Sequence, residues 1–181
     1  MESQGLSKPV VLIGMMGTGK SFLGARLARA FNVSFIDTDA VIEKTQSSSI
    51  AEIFSIQGEN YFRDLEFQTI KSSLEQKNNV IAVGGGAYTF QRNQEIIDTI
   101  GISVWLEASA EILWQRVKGN DKRPLLKQAN SLLKLRELLE IREKDYARAQ
   151  LRFRTDAALS INNLVMMIKD QISEHQLRNE Q

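Results

Sequence analysis

Gly14-Met15-Met16-Gly17-Thr18-Gly19-Lys20-Ser21 sets a glycine-rich turn beside a lysine and a hydroxyl at fixed spacing. Glycines let successive backbone N–H groups converge on an anion. Lys20 adds a positive charge for the outer phosphates, and the Ser21 hydroxyl is a ligand for magnesium. The pattern G-x-x-x-x-G-K-S is that of a phosphate-binding loop and predicts a bound nucleoside triphosphate.

Further constellations bear on what is done with that nucleotide. Asp37-Thr38-Asp39 falls at the end of an apolar run that reads as a parallel strand, and carboxylates at that edge face the ligand crevice. One can enter a magnesium shell and the other can accept a proton from an attacking hydroxyl. Asp39 could equally cap a helix starting near Ala40. Gly84-Gly85-Gly86 leaves no side chain between backbone and ligand. Arg63 and Glu66, three apart on a helix, form either a weak surface pair or a held guanidinium that clamps a carboxylate. Arg116, Arg123, Arg142 and Arg154 are each, taken alone, ordinary solvated charges. Arg123-Pro124 lies in a polar, turn-rich stretch, 118–124, that is a candidate lid.

Elements must hold these groups in place. Apolar runs at 9–13, 33–37, 80–83, 102–106 and 157–161 read as strands. Helices are expected at about 49–57, 59–76, 92–99, 109–118, 131–149 and 162–176. Ser49 and Ser109 are candidate caps, and Phe22, Leu23, Leu27 and Phe31 are spaced as the buried stripe of the helix after the loop. Short strands alternating with helical crossovers predict an α/β fold with a parallel sheet covered on both faces.

Composition narrows the function classes. The chain has 181 residues, long enough for one sizeable domain over 1–181. A formal net charge of +1 gives no electrostatic case for nucleic-acid or membrane partners. No cysteine is present, which excludes disulfides and zinc–thiolate sites, and the single histidine, His175, lies in a polar stretch. No apolar run approaches a membrane span, and Met1–Lys8 is too short and polar for a signal peptide. A cytoplasmic enzyme is the expectation.

The residues converge on a family. The phosphate loop, Phe35-Ile36-Asp37-Thr38-Asp39, Ile53-Phe54, Gly58-Glu59, Phe62-Arg63-x-x-Glu66, Gly84-Gly85-Gly86 and Arg123-Pro124-Leu125-Leu126 together strongly resemble shikimate kinase, in order and spacing, from about residue 9 to 155. The resemblance implies a three-layer P-loop NTPase fold of the nucleoside-monophosphate-kinase type. It further implies a five-stranded parallel sheet, a substrate-binding region at about 38–66 and a lid at about 116–129. The implied reaction is ATP-dependent phosphorylation of the 3-hydroxyl of shikimate, in aromatic amino-acid biosynthesis, by a monomer.

By position, Gly17, Thr18, Gly19, Lys20, Ser21 and Phe22 would bind ATP, with Ser21 and Asp37 serving Mg2+. Asp39, Lys20 and Arg123 would be catalytic, with Arg123 also binding ATP. Phe54, Phe62, Arg63, Gly84, Gly85, Gly86 and Arg142 would join Asp39 in holding shikimate, while Arg116 and Arg154 flank adenine. Two departures stand out. Phe22 replaces a usual threonine and is expected to face the helix, and Arg142-Glu143-Lys144-Asp145-Tyr146 lacks the proline of the usual Arg-x-Pro-x-Tyr. Arg136 is therefore an alternative to Arg142. A gluconate kinase or a non-catalytic nucleotide-binding module are the competing readings.

Overall fold

The computed structural model describes residues 5–118, 131–155 and 160–179. Five strands, β1 (Val10–Ile13), β2 (Ser34–Asp37), β3 (Asn79–Ala82), β4 (Ile102–Glu107) and β5 (Leu151–Arg154), form one sheet in the order β2-β3-β1-β4-β5. Every neighbouring pair is parallel. The helices are α1 (Lys20–Phe31), α2 (Thr38–Gln46), α3 (Ile50–Glu75), α4 (Gln91–Ile100), α5 (Ala110–Val117), α6 (Ser131–Tyr146) and α7 (Ile161–Asn179). A 3-10 turn spans Ala87–Thr89.

The sheet is covered on both faces, which is why β1 is an unbroken apolar run rather than an alternating one. Val10 and Leu12 pack with Leu27 and Phe31 of α1 and with Ile168 and Ile172 of α7. Val11 and Ile13 pack on the other side with Ile70, Leu74, Ile97 and Leu113. The chain leaves β1 toward β2 on one side and later returns to β4 on the other. The C-terminal edge of β1 is therefore the switch point at which α/β sheets bind ligands. No helix among the described residues is long and apolar enough to cross a membrane.

Two glycines have a backbone reason. Gly14 has φ +132°, and a Cβ there would lie 2.4 Å from the Leu106 carbonyl oxygen, so the loop leaves β1 hard against β4. Gly58 (φ 84°, ψ 173°) breaks α3 where the sequence predicts two helices, in a region that only glycine occupies readily. α2 and the N-terminal part of α3 close around a small separate cluster of Ile42, Ile53 and Phe62. Ser49 caps α3 with a full capping box, Ser49 and Glu52 bonding each other's backbone N–H, and Ser109 caps α5.

Three expectations are corrected. The fifth strand is Leu151–Arg154; residues 157–159 of the expected run lie outside the described residues and Ile161 begins α7. β5 is an edge strand with only Phe153 buried among charged neighbours, so it lacks the continuous apolar signature of the inner strands. Phe22 is not part of the buried stripe of α1: Leu23, Leu27 and Phe31 are buried, whereas Phe22 is 50% exposed. Asp37, not Asp39, caps α2, accepting the N–H groups of Asp39 and Ala40.

Candidate active site

A cleft of about 580 Å³ opens at the C-terminal edge of β1, floored by residues 16–23 and walled by Asp37, Asp39, Gly85, Arg116 and Thr155. Gly19 precedes α1 in a left-handed conformation, and the first helical bond runs from Leu23 N–H to the Gly19 carbonyl at 2.8 Å. The first-turn N–H groups of Lys20, Ser21 and Phe22 precede that bond, and with the helix dipole they favour an anion. Thr18 steadies the turn, its hydroxyl donating to the Met15 carbonyl at 2.8 Å. Lys20 Nζ reaches back across the loop to the carbonyls of Gly14 (2.6 Å) and Met15 (3.1 Å).

Ser21 Oγ donates to Asp37 Oδ2 at 2.5 Å, while Asp37 Oδ1 takes the Asp39 N–H at 3.1 Å and the Ala40 N–H at 3.3 Å. One carboxylate oxygen is thus spent on the helix and the other faces the loop. The Ser21–Asp37 donor set is all oxygen. No cluster of three or more His, Cys, Asp or Glu suited to a metal occurs among the described residues. Two hard oxygens at a phosphate loop fit a cation that keeps waters and shares phosphate ligands, as magnesium does.

The three glycines after β3 mark the other half of the site. A Cβ on Gly84 would lie 2.9 Å from Asp39 Oδ1 and 3.1 Å from Glu66 Oε1, so both carboxylates close on that backbone. At Gly86 a Cβ would lie 3.2 Å from Arg142 Nη2 and 3.6 Å from Arg63 Nη2. Two guanidiniums, from α3 and α6, thus flank one residue that has no side chain.

Arg63 is tightly held. It donates to Glu66 Oε2 at 2.9 Å and to Glu59 Oε1 at 3.2 Å, and its Cζ lies 4.3 Å from the Phe90 ring centre, 5.2 Å from Phe62 and 5.8 Å from Phe54. Glu66 is 1% exposed, so the Arg63–Glu66 pair is no surface pair. Burial raises the Glu66 carboxyl above the ordinary value, Arg63 opposes that, and the Asp39 charge adds to it. Arg142 approaches Met15 Sδ at 3.6 Å. One helical turn on, the Tyr146 hydroxyl donates to the Gly85 carbonyl; burial pushes that phenol up to about 12, keeping it a proton donor.

The structure separates the remaining arginines. Arg116 donates to the Gly17 carbonyl at 3.4 Å and to the Thr155 carbonyl at 2.6 Å, placing it at the loop. Arg154, expected beside it, instead turns to Glu107 at 3.4 Å and is 70% exposed, because the alternation of β5 points it toward its β4 neighbour. Arg136 pairs with Glu111 at 2.7 Å on an exposed face, so of the two α6 arginines only Arg142 reaches Gly86. Arg123 and residues 119–129 of the expected lid lie outside the described residues.

Several contributors escaped the sequence reading. Asn93, 1% exposed, donates to the Ala87 carbonyl at 2.9 Å and toward Glu66 Oε2 at 3.5 Å, joining the glycine turn to the Arg63 support. Its spacing with Ile97 and Ile100 along α4 was the available signal, a polar residue on an apolar stripe. Phe90 and Thr155 carry no such local mark, and Tyr146 entered only as the end of the Arg-x-Pro-x-Tyr pattern.

Sheet order, phosphate loop and paired carboxylate edge together define a P-loop kinase of the nucleoside-monophosphate-kinase type. A family model described as "Shikimate kinase" matches residues 16–173. A shikimate kinase from Cereibacter sphaeroides is 44% identical over 146 residues, covering 81% of this chain and 73% of its own length. The solved shikimate kinase from Acinetobacter baumannii in complex with shikimate superposes with TM-score 0.88 at 34% identity, over 94% of this chain and 95% of that one. A gluconokinase from Sinorhizobium meliloti, at 16% identity and TM-score 0.60 over 98% of this chain and 99% of its own, shares the fold alone. The chain belongs to the shikimate kinase family.

Proposed function

We propose that this chain transfers the γ-phosphoryl group of ATP to the 3-hydroxyl of shikimate, giving shikimate 3-phosphate and ADP. The observation that carries the reading is the pair of guanidiniums, Arg63 and Arg142, flanking side-chain-free Gly86 while Asp39 stands beside Gly84. Two planar forks around bare backbone suit a rigid carboxylate, and Asp39 stands where the alcohol of the same small molecule would meet the phosphate loop.

Asp39 takes the proton of the attacking hydroxyl as its oxygen bonds to the γ-phosphorus and the bond to ADP breaks. Lys20 and the first-turn N–H groups of α1 offset charge on the phosphates. Mg2+, held through Ser21 with Asp37 behind it, would supply further charge neutralisation and orient the β- and γ-phosphates. Phe54 and Phe62 wall the acceptor pocket in the 38–66 region, and Arg116 lies on the nucleotide side. By family position Arg123 belongs to a lid that meets the transferring group, and a cytoplasmic monomer is the working form.

The test offers shikimate, gluconate and nucleoside monophosphates separately and follows ADP release. Strong stimulation by shikimate alone is expected. Stimulation by gluconate without shikimate would overturn the acceptor, and nucleotide binding with no turnover would favour a non-catalytic module.

A further inference from the structure

Phe22 occupies a position where a small hydroxyl side chain is usual, and its ring is neither buried nor idle. It is 50% exposed and lines the cleft directly beyond Ser21. Arg26, one turn on, lays its guanidinium carbon 3.4 Å from the ring centre and donates to the Phe22 carbonyl at 3.2 Å. Arg26 is not among the residues that wall the cleft. It covers one face of the ring, and half of the Phe22 surface stays exposed.

The orientation of a nucleotide follows from the chemistry at the two ends of the cleft. Asp37 bonds Ser21 and Asp39 closes on Gly84, so the transferring phosphate belongs on that side of the cleft. The rest of the nucleotide must run along the first turn of α1 in the other direction, toward Phe22, Arg116, Thr155, Ile161 and Leu164. That end presents apolar surface to water: besides Phe22, Ile161 is 43% exposed. An apolar ring gives a phosphate nothing, because it offers no donor; it gives a sugar or base a surface to bury.

We propose that the exposed side of Phe22 is the packing platform for the nucleoside of the bound nucleotide, with Arg26 the positioning residue that braces the ring. The proposal rests on the kinase reading for the direction in which the nucleotide lies.

Calorimetric titration with ADP and with inorganic tripolyphosphate, both with magnesium, tests it on the full chain. Phe22→Thr should weaken ADP about fivefold, the scale of one lost stacking contact, with tripolyphosphate unchanged. Arg26→Met should give the same split in smaller measure, which a merely structural role would not produce. Equal weakening of both ligands by Phe22→Thr, or no change in either, overturns the proposal. Thermal melting of the ligand-free variants should match the parent, as expected for a half-exposed ring. No arm uses shikimate, so failure of the acceptor assignment would leave this comparison intact.

Discussion

Asp39 and Glu66 are two carboxylates closing on one glycine, with different tasks set by their surroundings. Asp39 sits at the edge of the phosphate-loop cleft and Glu66 is buried against Arg63. Replacing Asp39 with Asn should lower kcat about 10²–10⁴-fold while leaving both KM values near those of the parent; near-normal turnover in steady-state assays would remove it as the base. Glu66 sets a pH dependence. Its folded pKa lies above the ordinary 4.5, chiefly through burial. Falling pH thus protonates it earlier than an exposed glutamate, and Arg63 loses the charge that holds it. The KM for shikimate should rise on mild acidification, above the pH at which a free carboxyl titrates. In Glu66→Gln it should be raised throughout and flat with pH, and identical profiles for parent and variant would exclude this role. Stability runs the other way: the unfolded chain holds fewer protons between the two pKa values, so in that window this group makes stability fall as pH rises. Arg63, Glu66 and Asp39 were legible as residue types at chemical spacing. The burial that separates their roles was not, since it depends on Asn93, Phe90 and the glycine turn meeting them from distant sequence.

At the scale of elements, the turn after β3 is where α3, α4 and α6 are brought together. Gly86 has φ −99°, so alanine is tolerated by the backbone there, yet its methyl would sit 3.2 Å from Arg142 and 3.6 Å from Arg63. Gly86→Ala should raise the KM for shikimate roughly tenfold or more, the scale of a lost charge-assisted contact, with the KM for ATP unchanged. Steady-state kinetics varying each substrate checks this, and an equal rise in both would place the defect in the turn as a whole. The triple glycine announced a close approach in the sequence. Which groups approach was decided by α6: Tyr146 ties down the Gly85 carbonyl, and Arg142, one turn before it, is thereby set over Gly86. The missing proline between them did not displace the arginine, because burial of Tyr146 anchors that turn. β5 was misplaced for a related reason. Edge strands expose alternate residues and carry charges such as Arg152 and Arg154, so an apolar run is the wrong signal for them.

For the whole molecule, stability and chemistry are carried by different surfaces. Leu27, fully buried between α1 and the sheet, is not among the residues that wall the cleft. Leu27→Ala should cost about 2–5 kcal/mol and lower the Tm by roughly 5–15 °C, with both KM values unchanged; a nucleotide KM that moved would mean that core packing sets the loop. By itself the sequence determined the phosphate loop, the alternation of buried strands and helices, the break at Gly58 and the family. Those depend on local spacing, on backbone permissiveness and on apolar runs that must find cover. Tertiary structure alone decided where each arginine turns. Arg142 turns to Gly86, Arg136 to Glu111, Arg154 to Glu107 and Arg116 to the loop. A guanidinium on a long flexible stem carries no local mark of its partner. Its direction is fixed only when the sheet has brought a carboxylate, a carbonyl or a bare glycine within reach.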